Sequence, residues 1–203
     1  MAPEVVVFDL GKVLVDFDYS IAARKIAARG RISASEVQTF IDHSRLLFRY
    51  ETGEIGRKEF FREVCVATGF AGDLEEFGGF FADIFTPIAA MLELHQRLRA
   101  RGVPTFILSN TNDLAVGHIR SSFPFFGNFD GYIFSYEHGA MKPDPKLYAV
   151  VERVTAAAGG QIVFIDDREE NVAAGIARDW LGIHHKTPEE TIAELQRMNL
   201  PGA

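Results

Sequence analysis

A chain of 203 residues that is 47% hydrophobic is long enough for one core domain plus an inserted module, and its composition is not that of a disordered protein. Its net charge of -7, with no basic stripe, disfavours a binder of phosphate backbones, so nucleic acid is not an expected partner. Cys65 is the only cysteine, which excludes an internal disulfide framework, and neither a leader pattern nor a run near the ~20 apolar residues of a membrane span is present. The expectation is a soluble, cytoplasmic protein that does not enter membranes.

Val5-Val6-Val7-Phe8 is a short β-branched run that stops at Asp9 and Gly11, the pattern of a buried strand that delivers a carboxylate to a loop. From there to Pro87 no strand run occurs. Amphipathic segments over 19–29, 33–50, 57–68 and 74–84 read as helices, Ser33-Ala34-Ser35-Glu36 has the capping-box pattern, and Gly30, Gly53, Gly56, Gly69 and Gly72 punctuate the region. An inserted helical cap over 16–86 is expected, entered and left through short hinges near Asp16 and Pro87. The core domain then comprises 1–15 and 87–203.

Beyond Pro87, strands and helices alternate. A helix over 88–101 closes at Gly102, and a strand through Phe106-Ile107-Leu108 ends at Ser109-Asn110. A helix over 113–123 leads to the strand Gly131-Tyr132-Ile133-Phe134, and a helix over 146–158 closes at Gly159-Gly160. The strand Ile162-Val163-Phe164-Ile165 ends at Asp166-Asp167, a helix over 169–181 closes at Gly182, and Ile183-His184-His185 suggests a last short strand. Thr187-Pro188-Glu189-Glu190 is a capped start for a helix through Met198. The alternation predicts an α/β fold, a doubly wound parallel sheet with helices on both faces.

Ligands of open α/β sheets bind outside the carboxyl ends of the strands. Asp9, Ser109, Asn110, Lys142, Asp166 and Asp167 all follow strands and are therefore expected at one sheet edge. Three carboxylates brought together repel one another, and a hard divalent cation with oxygen ligands resolves the repulsion; magnesium suits one or two carboxylates plus phosphate. Lys142, the Ser109 hydroxyl and nearby N–H groups would hold phosphate oxygens. Asp9 would then attack phosphorus, giving an aspartyl phosphate that water hydrolyses.

At these residues the chain resembles the haloacid dehalogenase (HAD) superfamily. The segments Phe8-Asp9-Leu10-Gly11-Lys12-Val13-Leu14, Leu108-Ser109-Asn110-Thr111-Asn112, Gly139-Ala140-Met141-Lys142-Pro143-Asp144 and Phe164-Ile165-Asp166-Asp167-Arg168 look like its four motifs, in order. The resemblance implies a Rossmann-like HAD core, phosphorylation of Asp9, and phosphate binding by Ser109, Asn110 and Lys142. It also implies Mg2+ on Asp9, the Gly11 carbonyl, Asp167 and Asp166, with Asp167 favoured as the direct ligand.

Gly11 departs from the family pattern, in which a second aspartate acts as general acid and base. The Asp-Leu-Gly motif and the segment Tyr50-Glu51-Thr52-Gly53-Glu54-Ile55 resemble a branch of bacterial sugar phosphatases that includes α-D-glucose-1-phosphate phosphatase. The resemblance implies a phosphoric monoester hydrolase acting on a small phosphate ester, a hexose 1-phosphate for example, as a monomer or homodimer. The alternatives are a C-halogen hydrolase, against which the Asp166-Asp167 pair argues, and a non-catalytic binder of phosphorylated ligands.

Several residues outside the motifs carry expectations of their own. His43, Arg45, Arg49, Tyr50 and Glu51 are candidates to recognise sugar hydroxyls, Lys12 is read as solvent-exposed, and His184 and His185 as structural. Phe40, Phe48, Phe60, Phe61, Phe70, Phe77, Phe80, Phe81 and Phe85 are read mostly as helix-packing core, with one or two lining the pocket.

Overall fold

Val6 and Phe8 project from one face of a central strand, and Val5 and Val7 from the other; all four are buried, so apolar layers must cover both faces. The computed structural model describes residues 3–203, apart from the side chains of Asp42 and His43. In chain order the strands are β1 (Val5–Phe8), β2 (Val15–Phe17), β3 (Phe85–Pro87), β4 (Thr105–Ser109), β5 (Gly131–Phe134), β6 (Ile162–Asp166) and β7 (Leu181–His184). The helices are α1 (Tyr19–Ala27), α2 (Ala34–His43), α3 (Arg45–Glu51), α4 (Arg57–Thr68), α5 (Leu74–Ala82) and α6 (Ala89–Ala100), followed by α7 (Asp113–Ser122), α8 (Ser135–His138), α9 (Pro145–Thr155), α10 (Glu169–Ile176) and α11 (Pro188–Arg197).

The five-stranded sheet runs β5-β4-β1-β6-β7 with every pairing parallel, as the alternation predicts. The register sets Val6 opposite Thr105 and Val163. Val6 and Phe8 pack with Met91, Leu94 and Leu98 of α6, Ile119 of α7 and Leu195 of α11. Val5 and Val7 pack with Leu147 and Val151 of α9 and with Phe164 and Trp180. Each such side chain contributes roughly 1.5–3 kcal/mol on burial, which anchors β1 in the middle of the sheet. The chain leaves β1 for β4 and β5 and returns to β6 on the other side of β1. The order therefore reverses at β1, and a crevice opens at its carboxyl end.

The expected hinges are paired with each other. β2 and β3 form an antiparallel ribbon with Asp16 opposite Thr86 and Phe17 opposite Phe85, too short for a sequence pattern to reveal. Helices α1 to α5 lie between these strands and share a separate hydrophobic cluster built on Ile26, Val37, Leu46, Phe60, Val64, Phe77 and Phe81. Tyr50 stacks on Phe60 at 4.4 Å and Phe60 meets Phe81 edge-on at 5.2 Å. Phe48, in contrast, is 47% exposed. Among the described residues no helix is long and apolar enough to cross a membrane.

The helix expected over 146–158 ends at Thr155, where Ala156 takes the left-handed conformation, and two other boundaries depart further from expectation. The single helix over 33–50 is broken at Ser44, whose extended backbone and side-chain bond to the Leu46 N–H start α3 afresh; serine competes with helix interiors in this way. The helix over 169–181 stops at Ile176 because Trp180 turns inward beside Phe164 and Tyr148, and the edge of β6 takes Leu181–His184 as a strand. The Ser33 and Glu36 capping box is present as read, as is the Thr187 cap.

Gly53 joins the end of α3 to the loop before α4 with φ 72°, and a Cβ there would come 2.2 Å from the Tyr136 carbonyl oxygen. Gly53→Ala is expected to lower stability by ~1–3 kcal/mol, read as a lower denaturant midpoint at unchanged slope. Gly102→Ala, at φ 76° in open space, should cost only the ~1 kcal/mol of the left-handed conformation. Equal losses in the two variants would sink the close-approach argument.

Candidate active site

The ends of β1, β4 and β6 bring the expected residues together around one buried lysine. Lys142 Nζ lies 2.8 Å from Asp9 Oδ1 and 2.6 Å from Asp166 Oδ2, and donates to the Leu108 carbonyl at 2.9 Å. Its side chain is 1% exposed, so this lysine is part of the site floor and not of the solvated surface. Asn110 fixes the lysine backbone on both sides: its Nδ2 donates to the Lys142 carbonyl at 3.0 Å, and its Oδ1 accepts from the Lys142 N–H at 2.7 Å. The structure thus commits the Asn110 side chain to holding the lysine, a positioning task, where phosphate binding was expected.

Asp9 is 8% exposed, and both recorded bonds to its carboxyl, from Lys142 and from the Leu10 N–H at 2.6 Å, fall on Oδ1. The carboxyl lines the floor of the pocket, and Oδ2 carries neither of these bonds. Asp166 is fully buried, with Oδ2 on Lys142 and Oδ1 accepting from the Arg168 N–H and from Asn171 Nδ2, each at 2.9 Å. Ser109 is buried with its hydroxyl 3.4 Å from the Asn110 carbonyl. Ser135 Oγ ties down the loop after β4 by accepting from the Thr111 N–H and donating to the Thr111 carbonyl.

Charge is in excess here. Burial pushes the Asp9 carboxyl up to about 7; Lys142 opposes the rise, and Asp166 and Asp167 add to it. Burial likewise raises half-buried Asp167, helped by Asp166. Burial works against the Lys142 ammonium, yet Asp9 and Asp166 overcome it and hold the group above its usual range. One cation thus faces three carboxylates whose oxygens lie within 4.8 Å of one another. An all-oxygen donor set of this charge suits a hard divalent cation. Asp166 already accepts three hydrogen bonds, so Asp9 and Asp167 are the carboxylates with oxygens to spare.

The pocket above this floor has a volume of about 230 Å³. Leu10, Phe17, Tyr19, Leu47, Phe85 and Met141 give it an apolar wall, while Lys12, Glu51, Thr111, Asn112 and Arg168 supply polar groups. Lys12 is 44% exposed, as expected, and sits over the Phe17 ring with its ammonium paired to Asp16. Of the proposed hydroxyl readers whose side chains are described, only Glu51 reaches the pocket. Arg49 is engaged by Glu54 and Glu63, Arg45 lines a groove elsewhere, and the buried Tyr50 gives its hydroxyl to Asp113; the His43 side chain lies outside the described residues. His184 Nε2 meets the Asp167 carbonyl at 3.0 Å and His185 Nδ1 the Thr191 hydroxyl at 2.7 Å, both in supporting places. Phe17, Tyr19 and Asn112 were not singled out as site residues, because a ring or an amide at a helix start carries no signal beyond packing and capping.

Comparisons with known proteins agree with this fold. A sesquiterpene phosphatase of Aspergillus oryzae is 25% identical over 195 residues, covering 95% of this chain and 94% of that protein. A predicted HAD-like family hydrolase from Porphyromonas gingivalis has the same fold, with a TM-score of 0.79 at 21% identity over 97% of this chain and 99% of its own. A HAD family enzyme of Bacteroides thetaiotaomicron, solved in complex with magnesium and inorganic phosphate, also scores 0.79, at 20% identity over 91% of this chain and 95% of its own. The family model for haloacid dehalogenase-like hydrolases matches residues 3–178, and the chain belongs to that family.

Proposed function

We propose that this protein is a magnesium-dependent phosphoric monoester hydrolase that forms an aspartyl phosphate on Asp9. The observation that carries the reading is the buried Lys142 bridging Asp9 and Asp166 beneath the pocket, with Asp167 beside them. A carbon–halogen substrate brings no dianion to neutralise, whereas a phosphate ester needs the cations this floor can gather. Asp9, Asp167 and the Gly11 carbonyl would hold magnesium, which when bound supplies positive charge against the phosphate oxygens. Asp166 keeps Lys142 charged and pointed at Asp9. The Asp9 carboxylate attacks phosphorus, Lys142 and the Ser109 hydroxyl hold the phosphoryl oxygens, and the alcohol departs into the pocket.

The region 16–86 acts in this reading as a cap that encloses the reaction. Its hold on the core includes Asp113, which accepts from Tyr50 of α3 and from Arg57 of α4 at 2.5 Å. The organic part of the ester meets Phe17, Tyr19, Leu47 and Phe85, a wall that fits an alcohol with an apolar body better than a hexose, and the similarity to a sesquiterpene phosphatase points the same way. Hexose 1-phosphates remain the second reading, favoured by Glu51 and Asn112 as partners for hydroxyls.

The deciding experiment measures phosphate release from prenyl, aryl, sugar and nucleotide monoesters, with magnesium and with chelator. Turnover that disappears in chelator and returns with magnesium supports the reading. Turnover unaffected by chelator, or none on any ester, ends it. Higher kcat/KM on glucose 1-phosphate than on prenyl phosphates would favour the second reading.

A further inference from the structure

We propose that Glu51 is the acid and base of this site, protonating the alcohol oxygen as it leaves phosphorus and then taking a proton from the water that hydrolyses the aspartyl phosphate. The inference rests on the phosphatase reading above and names the residue that does what Gly11 cannot.

The argument begins at Gly11. A Cβ built there would lie 2.8 Å from Cε1 of Phe17, and Phe17 is itself packed edge-on against Tyr19 at 5.5 Å and Phe85 at 6.2 Å. The aromatic group that closes the ribbon has taken the space in which an acid on that loop would stand. A proton donor must come from another wall.

In an in-line displacement, the leaving oxygen lies on the side of phosphorus opposite the attacking atom. Asp9 is on the floor at the end of β1, so the leaving oxygen faces the inserted helices. Glu51 lines the same pocket from the end of α3. The other proton-bearing groups of the lining are committed elsewhere. Lys142 is held by Asp9 and Asp166, Lys12 by Asp16 and the Phe17 carbonyl, and Arg168 by Glu170, while Asp167 belongs to the cation site. Tyr19 is a phenol, too weak an acid to match both proton transfers near neutral pH.

Glu51 also has the surroundings of a neutral carboxyl. Among the described residues it forms no ion pair: Arg49 is occupied by Glu54 and Glu63, and Arg57 by Asp113. It is the last residue of α3, where the helix dipole disfavours an anion. Its hydrogen bond comes from Asn112, whose Oδ1 is used by the Ala115 N–H, so the amide N–H group holds the carboxyl while leaving it free to donate. Burial pushes its pKa up to about 7, with the Asn112 bond opposing, which suits a group that must give a proton and take it back.

The steps balance. In the first, the bond from Asp9 to phosphorus forms, the bond from phosphorus to the alcohol oxygen breaks, and the Glu51 proton goes to that oxygen. In the second, water bonds to phosphorus, its proton goes to Glu51, and Asp9 leaves as a carboxylate.

Leaving-group dependence provides the test, with the full chain assayed as wild type and as Glu51→Gln on benzyl phosphate and 4-nitrophenyl phosphate. The two rings are alike in size, but only the nitrophenolate departs without a proton. Glu51→Gln should lose ~100- to 10,000-fold on benzyl phosphate. It should still release a rapid burst of nitrophenolate equal to the enzyme concentration, followed by a slow phase as the phosphorylated enzyme waits for a base. Equal losses on both substrates, including loss of the burst, would make Glu51 a binding or structural residue and overturn the proposal, as would no loss on benzyl phosphate. A wild type with neither turnover nor burst would end the phosphatase reading and this one with it. Glutamine keeps an oxygen for Asn112, and matching thermal unfolding of the two proteins would establish that the fold is kept.

Discussion

Asp9→Asn is expected to abolish turnover while making the metal-free protein harder to unfold at neutral pH. The first effect follows from removing the nucleophile, and losses on the order of 10,000-fold or more are usual when a covalent catalyst is deleted. The second follows from the charge excess at the site. Asp9 ordinarily titrates at 3.8, but burial, with Asp166 and Asp167 nearby, raises it to about 7 in the folded protein despite Lys142. Below 3.8 the carboxyl is protonated in both states and costs nothing. Between 3.8 and about 7 the folded state holds the proton more tightly than the unfolded state, so stability falls as pH rises across that window. Above it the full penalty, a few kcal/mol by the ~1.4 kcal/mol per unit conversion, is present. Asparagine has no charge to desolvate. Chemical unfolding in chelator at pH 4 and pH 8 should therefore show the variant gaining on wild type as pH rises, and a variant that loses ground at pH 8 would contradict the assignment. Magnesium should narrow the difference by stabilising the wild-type carboxylate.

The opposite result is expected for Lys142→Met, which keeps the stem and removes the charge. Lys142 is the cation within bonding distance of both Asp9 and Asp166, and Asp166 is wholly buried. Removing one partner of a buried ion pair typically costs ~3–5 kcal/mol, because the remaining charge is left without compensation. The loss should grow as pH rises through the Asp9 titration, since without the ammonium that carboxyl resists ionisation further. Activity should also fall by ~100- to 1,000-fold or more, as for other groups that stabilise charge developing in the transition state. Adding Asp9→Asn to Lys142→Met should recover part of the stability, so the double-mutant cycle reads the coupling directly. Additive losses at both pH values would mean that the pair is not coupled.

The sheet and most of the candidate site were legible in the sequence. Val5-Val6-Val7-Phe8 and Ile162-Val163-Phe164-Ile165 read as buried strands because residues apolar on both faces have no other stable place, and polar residues at their carboxyl ends share one edge wherever such strands run parallel. Thus Asp9, Lys142, Asp166 and Asp167 were nameable before their contacts were seen. Boundaries such as Ser44 and Ile176 were not, since a short side-chain bond or a sheet edge can outcompete helix periodicity.

What the sequence determined by itself is therefore the succession of the parallel strands and of most helices, and the chemical kind of groups at their ends. Only the tertiary structure decided the division of labour among them. Asp166 has both oxygens taken by Lys142, Arg168 and Asn171; Asn110 grips the lysine backbone; Phe17 fills the space beside Gly11; and Glu51 lines the pocket where Arg45, Arg49 and Tyr50 do not. The physical reason is that periodicity and motif spacing report a residue's own segment. Which lone pair is occupied, which carboxyl is desolvated and which ring fills a gap depend on chain segments tens of residues away, and those are brought together by packing alone.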